Sequence, residues 1–171
     1  MQLYHVIGDA TAPVKKPTII AHVCNTVRAW GAGFVIPLGN TYPQVKQDYL
    51  AMPNADMQLG HTQFVDVSPD ITVANMIAQK GIRPSKEGIP LRYGALHTCL
   101  DEVQKRALEK GYTVSVPRIG AGLAGGEWPV IKSIIMATMK VDTYVYTLPA
   151  EADKWPETKT QSADTNTGVT P

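Results

Sequence analysis

The stretch VPRIGAGLAGGEWP, at residues 116–129, holds the residues whose types and spacing most directly suggest chemistry. Glycines remove every Cβ from a short loop, so that backbone N–H groups can approach a ligand and bind an anion. A β-type run precedes the loop, and the helix-type run that follows adds its positive end near Glu127. The alternative is a glycine-rich turn that serves close packing alone. Read literally, Gly120, Gly122 and Gly125 also fit the G-x-G-x-x-G pattern of dinucleotide-binding folds.

The dinucleotide interpretation fits the rest of the chain poorly. That motif belongs to the first β-α-β unit and requires an acidic residue at the end of the second strand. Here the loop comes late in the chain, and one strand-like run follows it. Asp142 has a suitable separation from the loop, but it begins that strand instead of ending it. A nicotinamide-dependent dehydrogenase is therefore not predicted.

A second glycine cluster indicates a different kind of cleft. The segment HVCNTVRAWGAGF, at residues 22–34, also follows an apolar strand-like run and also presents bare backbone. Gly8 and Asp9 follow the first strand-like run of the chain. Because the carboxyl ends of parallel strands meet at one edge of a sheet, these loops are predicted to line a common nucleotide cleft.

The elements that would position these loops alternate between strand-like and helix-like patterns. TIIAHVCN, at residues 18–25, is apolar at nearly every position, as in a central strand buried on both faces. A helix is predicted from Thr41, with Thr41 and Gln44 as a capping box. A second amphipathic helix is predicted over residues 91–110 and ends at Gly111. The remaining strand-like runs lie at residues 2–9, 62–67, 71–78, 112–119 and 141–148, and a further helix at 127–140. This order predicts an α/β sandwich around a central sheet.

Composition narrows the function classes. The 171 residues suffice for one domain, and the formal net charge of +1 lacks the basic excess of a nucleic-acid surface. No segment resembles a signal peptide or a membrane helix, so we predict a cytoplasmic protein without membrane association. A monomer is also expected. Cys24 and Cys99 lie in apolar runs and are expected to be buried, reduced thiols, with a single disulfide as the alternative. No metal or other cofactor is predicted, because no cluster of His, Cys and Asp has ligand spacing.

Four ordered motifs resemble the macrodomain family, and within it the small proteins similar to the yeast ADP-ribose 1″-phosphate phosphatase. They are Gly8-Asp9-Ala10 after the first strand, IIAHVCN leading into WGAGF, VANMIAQKGI, and PRIGAGLAGGEW. The resemblance implies a three-layer α/β/α sandwich with a mixed six-stranded sheet and a cleft for ADP-ribose. It assigns the macrodomain to residues 1–149 and leaves residues 150–171 as a polar tail, which is expected to be disordered.

The resemblance also implies ligand-binding roles. Asp9 resembles the acid that accepts a hydrogen bond from the adenine amino group, and its alternative role is that of a turn or cap residue. Asn25 matches the asparagine that bonds the distal ribose. Trp30 would stack near that ribose, or else serve as a hydrophobic plug. The remaining residues placed against the ligand are Gly8, Ala10, Gly31, Ala32, Gly33, Ile119, Gly120, Ala121, Gly122, Leu123, Ala124, Gly125, Thr147 and Leu148.

Three residues are candidates for catalysis, namely His22, Asn25 and Lys80. His22 would act as an acid or base near neutral pH if it faced the distal ribose, although a core histidine is the favoured interpretation. Lys80 lies close to the position of a nucleophilic lysine in a related branch. Ala124 stands where that branch has its catalytic aspartate, which favours an exposed loop lysine instead.

Three activities remain open at this point. The leading prediction is a phosphatase that removes phosphate from ADP-ribose 1″-phosphate. The first alternative is a hydrolase of ADP-ribosyl esters on proteins or nucleic acids, which is the one way in which nucleic acid would be involved. The second alternative is a non-catalytic reader of ADP-ribose, since the fold alone does not determine activity.

Overall fold

A computed structural model of the chain describes residues 1–158 and the backbone of Val169–Thr170. The strands are β1 (Leu3–Ile7), β2 (Thr18–Asn25), β3 (Thr62–Ser68), β4 (Ile71–Gln79), β5 (Thr113–Val116), β6 (Thr143–Thr147) and β7 (Val169–Thr170). The α-helices are α1 (Val35–Thr41), α2 (Pro43–Leu50), α3 (Tyr93–Lys110) and α4 (Trp128–Thr138), with 3₁₀ helices at Asn54–Asp56 and Pro149–Lys154. No helix in this described part of the chain is long and apolar enough to cross a membrane.

The sheet is mixed, with the strand order β3-β4-β2-β5-β6-β1-β7. Neighbouring strands from β4 to β1 in this order are parallel, whereas β3 and β7 run antiparallel to their neighbours at the two edges. The predicted six-stranded mixed sheet is confirmed as β1–β6, and β7 adds two residues beside β1. Five parallel strands therefore end at one edge of the sheet.

Helices cover both faces of this sheet, which confirms the three-layer α/β/α architecture. Side chains of a strand alternate between faces, and β2 is buried on both. Ile19 and Ala21 pack in the core beneath α3 and α4. Ile20 and Cys24 pack in the core beneath α1 and α2.

Two local predictions are also confirmed. Gly111 ends α3 in the left-handed region at φ 68°, and its N–H donates to the carbonyl oxygens of Ala107 and Leu108. Cys24 and Cys99 are free, buried thiols, and burial raises the pKa of both. The disulfide alternative is therefore wrong.

The predicted start of the first helix at Thr41 is wrong. The chain is already helical at Val35, and Thr41 ends α1, with its hydroxyl donating to the Pro37 carbonyl at 2.9 Å. No side-chain hydrogen bond caps α2, so the Thr41–Gln44 capping box does not form. Pro43 lacks an N–H and disfavours helical dihedrals at the preceding residue, which divides the segment into two helices.

The first part of the tail departs from the expected disorder. Residues 149–154 form a 3₁₀ helix, and Trp155 packs against the core beneath α3 and α4. Trp155 lies edge-on to Trp128, with 6.1 Å between ring centroids. The polar composition gave no signal for this contact. The contact depends on two residues of the segment that each have a specific partner at the domain surface. Residues 159–168 and 171 lie outside the described part of the chain.

Candidate functional site

The carboxyl edge of the parallel strands gathers the loops that the sequence singled out. Asp9 follows β1, Asn25 ends β2, Lys80 follows β4, the loop at residues 117–127 follows β5, and Thr147 ends β6. The N–H of Gly8 donates to the Thr147 carbonyl at 2.9 Å, which joins the ends of β1 and β6. Open α/β sheets bind their ligands at this edge.

Asn25 shapes the first glycine loop instead of pointing its whole amide outward. Its Oδ1 accepts hydrogen bonds from the N–H groups of Val27 and Ala29, each at 3.0 Å, while the Tyr49 hydroxyl donates to the Asn25 backbone carbonyl at 2.6 Å. Its Nδ2 donates to the Ala29 carbonyl at 2.9 Å. An amide oxygen has two lone pairs, so this acceptor is fully used. Asn25 retains one amide hydrogen without a partner within the described residues, and its main effect is on the loop that leads to Gly31.

Arg28 clamps the same loop, a role that the sequence analysis missed. Its guanidinium donates to the carbonyl oxygens of Leu50 and Met52 at 3.0 and 2.5 Å and to Asn54 Oδ1 at 2.8 Å. The backbone of Arg28 has φ 59°, an uncommon value for a residue with a Cβ. The clamp therefore holds a turn that the local sequence does not favour. Its partners lie more than 20 residues away in the chain, so no local sequence pattern predicts them.

Both glycine loops present backbone donors without partners. Within the described residues, no hydrogen bond is made by the N–H groups of Gly31, Ala32, Gly33, Gly122, Leu123 and Ala124. The second loop keeps its shape through other N–H groups, since Gly125 donates to the Gly122 carbonyl at 3.0 Å and Gly126 to the Gly120 carbonyl at 2.7 Å. Gly120 and Gly125 have φ values of 71° and 77°, which favour glycine.

The two loops meet across a narrow opening. A Cβ built on Gly33 would lie 3.5 Å from Leu123 Cδ1. Leu123 is nevertheless 71% exposed, and Gly31, Ala32 and Gly33 are all exposed. The opening between the loops is therefore accessible, with bare N–H groups on both sides.

Asp9 lies at the far end of this edge, in an exposed turn. Its Oδ1 accepts hydrogen bonds from both the N–H and the hydroxyl of Thr11 at 2.8 Å. Its Oδ2 accepts none within the described residues. Asp9 therefore acts as a turn residue through one oxygen and keeps the other for a donor. Ala10 is buried beside Tyr146, whereas Leu148 is half exposed.

His22 lies in the core and not at the cleft. It is 2% exposed, and its Nε2–H donates to Asn75 Oδ1, since Asn75 Nδ2 is used as a donor to Gln63 Oε1. Burial, opposed by the weaker effect of the Asn75 hydrogen bond, lowers the pKa of His22 to about 4. His22 is therefore a buried, neutral core histidine, which is the interpretation that the sequence favoured. The geometry does not support His22 as the acid or base.

Trp30 is a hydrophobic plug. It is 8% exposed and packs edge-on to His22 at 5.6 Å and against Tyr49 at 5.4 Å between ring centroids. One side of Trp30 borders a cavity of about 360 Å³ on the α1–α2 side of the sheet. No residue of the second glycine loop lines that cavity, so it is distinct from the opening between the two loops.

Similarity to known proteins identifies the family. No family model matches the chain. A macrodomain protein from Streptomyces coelicolor is 41% identical, over 85% of this chain and 99% of its own, with a TM-score of 0.74. This chain belongs to the macrodomain family. A protein of unknown function from Bacteroides thetaiotaomicron is 37% identical over 86% of this chain and 99% of its own, with a TM-score of 0.83. An ADP-ribose 1″-phosphate phosphatase from Candida albicans is 23% identical over 85% of this chain and 99% of its own length.

Lys80 of the macrodomain is held by an ion pair at the surface. Its Nζ lies 2.9 Å from Glu87 Oε2, and Arg92 contacts the same carboxylate at 3.1 Å. Hydrogen bonds from these two cations lower the pKa of Glu87. Lys80 is an exposed lysine paired with Glu87, and Ala124 supplies no carboxylate on the facing loop, so the geometry does not support a lysine nucleophile.

Arg118 of the macrodomain is enclosed, with its side chain 7% exposed. Its guanidinium carbon lies 4.7 Å from the ring centroid of Trp128 and 4.4 Å from that of Trp155. Its Nη1 lies 2.6 Å from Glu157 Oε1, and its Nε donates to the Thr147 hydroxyl at 2.8 Å. The sequence analysis did not include Arg118 among the site residues, and it had no signal for Glu157 as its partner.

Proposed function

We propose that this macrodomain binds ADP-ribose between its two glycine loops and removes phosphate from ADP-ribose 1″-phosphate. One observation carries the proposal: unpaired backbone N–H groups lie on both sides of the opening where Gly33 and Leu123 meet. Unpaired N–H groups are costly when buried and serve as anion sites when a ligand covers them. ADP-ribose 1″-phosphate carries a diphosphate and a further phosphate on its distal ribose. These groups supply the acceptors that two such loops require.

The absence of a packing reason for two of the glycines supports this proposal. A Cβ at Gly31 or Gly122 would have no atom within 4 Å, and neither residue has a positive φ. By contrast, a Cβ at Gly126 would lie 2.6 Å from the Gly120 oxygen and would also collide with Leu91. Close packing therefore explains Gly126, whereas ligand approach explains Gly31 and Gly122.

The other ends of the ligand follow from the order of the strands. The free Oδ2 of Asp9 would accept a hydrogen bond from the adenine amino group, with Ala10, Thr147 and Leu148 beside it. The remaining amide hydrogen of Asn25 would reach the distal ribose. The relative from Candida albicans, named an ADP-ribose 1″-phosphate phosphatase, favours a phosphate on that ribose as the group removed.

The reaction would proceed by attack of water on the terminal phosphorus. The bond between phosphorus and the ribose oxygen breaks, phosphate leaves, and a proton from water passes to the ribose oxygen. The loops would contribute by positioning the phosphate and by donating N–H groups to its oxygens as charge redistributes. Since His22 is buried and Lys80 is ion-paired, no side-chain nucleophile is invoked, and a slow enzyme is expected.

We further propose that the protein is a cytoplasmic monomer and that nucleic acid is involved only as an ADP-ribosylated substrate. The mass in solution by light scattering tests the first point. Binding of an unmodified oligonucleotide would contradict the last one.

Calorimetric titration with ADP-ribose, followed by a phosphate-release assay on ADP-ribose 1″-phosphate, tests the proposal. AMP and NAD serve as controls for the titration. Micromolar binding of ADP-ribose, much tighter than that of AMP, together with release of phosphate, is the expected result. No binding of ADP-ribose would mean that the glycine loops do not form the site.

A non-catalytic reader is the second candidate, and the positions of His22 and Lys80 favour it. Binding of ADP-ribose without any phosphate release would establish the reader. Ester hydrolysis through Lys80 is tested by Lys80→Ala, with Lys86→Ala in the same loop as its matched control. Loss of ester cleavage in Lys80→Ala alone would support the nucleophile, despite its ion pair with Glu87.

A further inference from the structure

The segment that follows β6 of the macrodomain closes over a single arginine. Trp155 and Trp128 lie on the Arg118 guanidinium, at 4.4 and 4.7 Å. Arginine stacks well on aromatic rings because its planar cation is weakly hydrated. Residues 149–158 therefore contact the domain at a charged residue, and not at an apolar patch alone.

Glu157 completes the enclosure. Its Oε1 accepts hydrogen bonds from Arg118 Nη1 at 2.6 Å and from Trp128 Nε1 at 2.9 Å. The Arg118 and Glu157 side chains are 7% and 16% exposed. Burial would raise the pKa of Glu157, but these hydrogen bonds outweigh it and lower the pKa to about 2. Removing one partner of such a pair leaves the other charge buried without compensation.

The two residues held by this segment mark the two ends of the second glycine loop. Arg118 is the second residue of the loop at residues 117–127, and its carbonyl accepts the Ala121 N–H at 3.3 Å. Trp128 is the first residue of α4, directly after the loop. Glu157 Oε1 therefore joins the start of the loop to its end through one atom.

We propose that residues 149–158 act as a strap that holds both ends of the second glycine loop, so that Trp155 and Glu157 are positioning residues for the phosphates. This inference rests on the proposed function. The strap sets the spacing of the N–H groups of Gly122, Leu123 and Ala124, which have no partner within the described residues. A displacement of a fraction of an ångström would misalign these donors with phosphate oxygens.

Four variants of the full chain test the strap. Two of these variants are designed to loosen the strap, and the other two are designed to leave it intact. Glu157→Gln removes the charge, and Trp155→Ala removes one ring from Arg118. Trp155→Phe keeps a ring there and is the conservative rescue. Glu151→Gln is the matched control, because Glu151 lies in the same segment and pairs only with exposed Lys154 at 3.9 Å within the described residues.

Two readouts separate positioning from general stability. Circular dichroism first fixes a temperature at which every variant is folded. ADP-ribose affinity is then measured by calorimetry, and hydrogen exchange is measured at the amides of Gly125 and Gly126, with Ile77 in β4 as reference. A purely structural strap would lower the unfolding temperature without changing affinity or local exchange in the folded protein.

The strap predicts that Glu157→Gln and Trp155→Ala weaken ADP-ribose binding about tenfold or more and accelerate exchange at the loop amides, but not at Ile77. Trp155→Phe and Glu151→Gln should stay close to wild type. Wild-type affinity in both loosening variants, with unchanged loop exchange, would overturn the inference. If the wild-type protein does not bind ADP-ribose, the proposed function fails and the affinity role fails with it. Exchange at Gly125 and Gly126 would still decide whether the strap holds the loop.

Discussion

Leu123 of the second glycine loop lies directly over Gly33 of the first, so that a Cβ on Gly33 would be 3.5 Å from Leu123 Cδ1. These residues are 90 positions apart in the chain, yet they bring the two glycine loops of the candidate cleft together. An isobutyl group that is 71% exposed contributes little to the stability of the fold. Its position over bare backbone suggests instead that it covers a ligand bound between the loops.

Leu123→Ala should therefore weaken ADP-ribose binding with almost no effect on stability. Partial burial of the leucine side chain by the ligand corresponds to about 1 kcal/mol, or roughly fivefold in affinity. The free energy of unfolding should change by less than about 0.5 kcal/mol, since the side chain is exposed. Calorimetry and urea denaturation measure the two quantities. Leu108→Ala, at an exposed leucine of α3, is the control, and equal affinities in the two variants would contradict the role of Leu123.

Gly122→Val should leave the fold intact and abolish most ligand binding. No atom lies within 4 Å of a Cβ at this position, and its φ is not positive, so the fold can accept the side chain. The added methyl groups would occupy the side from which a phosphate approaches the N–H groups, and we expect affinity to fall by at least about tenfold. The measurements are the thermal midpoint and the ADP-ribose dissociation constant.

The control for Gly122→Val is Gly94→Val, which places the same side chain in open space on α3. Both variants should fold, and Gly94→Val should bind ADP-ribose like wild type. Undiminished binding by Gly122→Val would show that the ligand does not approach this loop.

Asp9→Asn tests recognition of the adenine amino group by an isosteric change. The amide oxygen can still accept the two hydrogen bonds from Thr11, so stability should be preserved. An amide nitrogen in place of Oδ2 would face the adenine donor with a second donor. The loss of a charged hydrogen bond predicts about 10- to 100-fold weaker binding of ADP-ribose.

The matched control for Asp9→Asn is Asp70→Asn. Asp70 Oδ1 also accepts a local hydrogen bond, from the Ser68 hydroxyl at 2.8 Å, but it precedes β4 and so lies at the opposite edge of the sheet. If Asp9→Asn binds ADP-ribose as tightly as Asp70→Asn does, Asp9 is a turn residue and nothing more.

Local patterns predicted the parts of the fold that depend on local physics. The continuous apolar run at β2 indicated a strand buried on both faces, and Gly111 indicated the end of α3. The meeting of the two glycine loops was also predictable, because the carboxyl ends of parallel strands share one edge. At Thr41 two local signals competed. The Thr41 hydroxyl bonds to a carbonyl within α1, the helix that ends at Thr41, and does not cap α2, the helix that follows.

Partners distant in sequence explain what the sequence analysis missed. The Asn25 amide looked like a ligand group, but backbone groups of the adjacent loop use most of it. The polar tail looked unstructured because composition reports average burial, whereas Glu157 bonds to Arg118, 39 positions away, and to Trp128. The identity of such partners follows from the packed structure and has no periodic signature.

The burial of His22 predicts a specific dependence of stability on pH. Its pKa is about 4 in the folded protein, mainly because burial disfavours the charged form, and 6.5 is the ordinary value that applies to the unfolded chain. Between these values the unfolded state binds a proton that the folded state does not, so stability falls as pH falls from 6.5 towards 4. The full contribution is present above pH 6.5, and the loss approaches about 3 kcal/mol at pH 4.

His22→Gln isolates this contribution, because glutamine can still donate to Asn75 Oδ1 but carries no charge. Urea denaturation of both proteins at pH 7, 5.5 and 4.5 is the measurement, and the difference between them removes the effects of carboxylates and of His5. The stability of His22→Gln relative to wild type should rise as pH falls through this window. A constant difference would show that His22 titrates alike in both states, and hence that solvent reaches it. An exposed His22 would again be a candidate base for the reaction, whereas the buried residue predicts that His22→Gln keeps any phosphatase activity to within a few-fold.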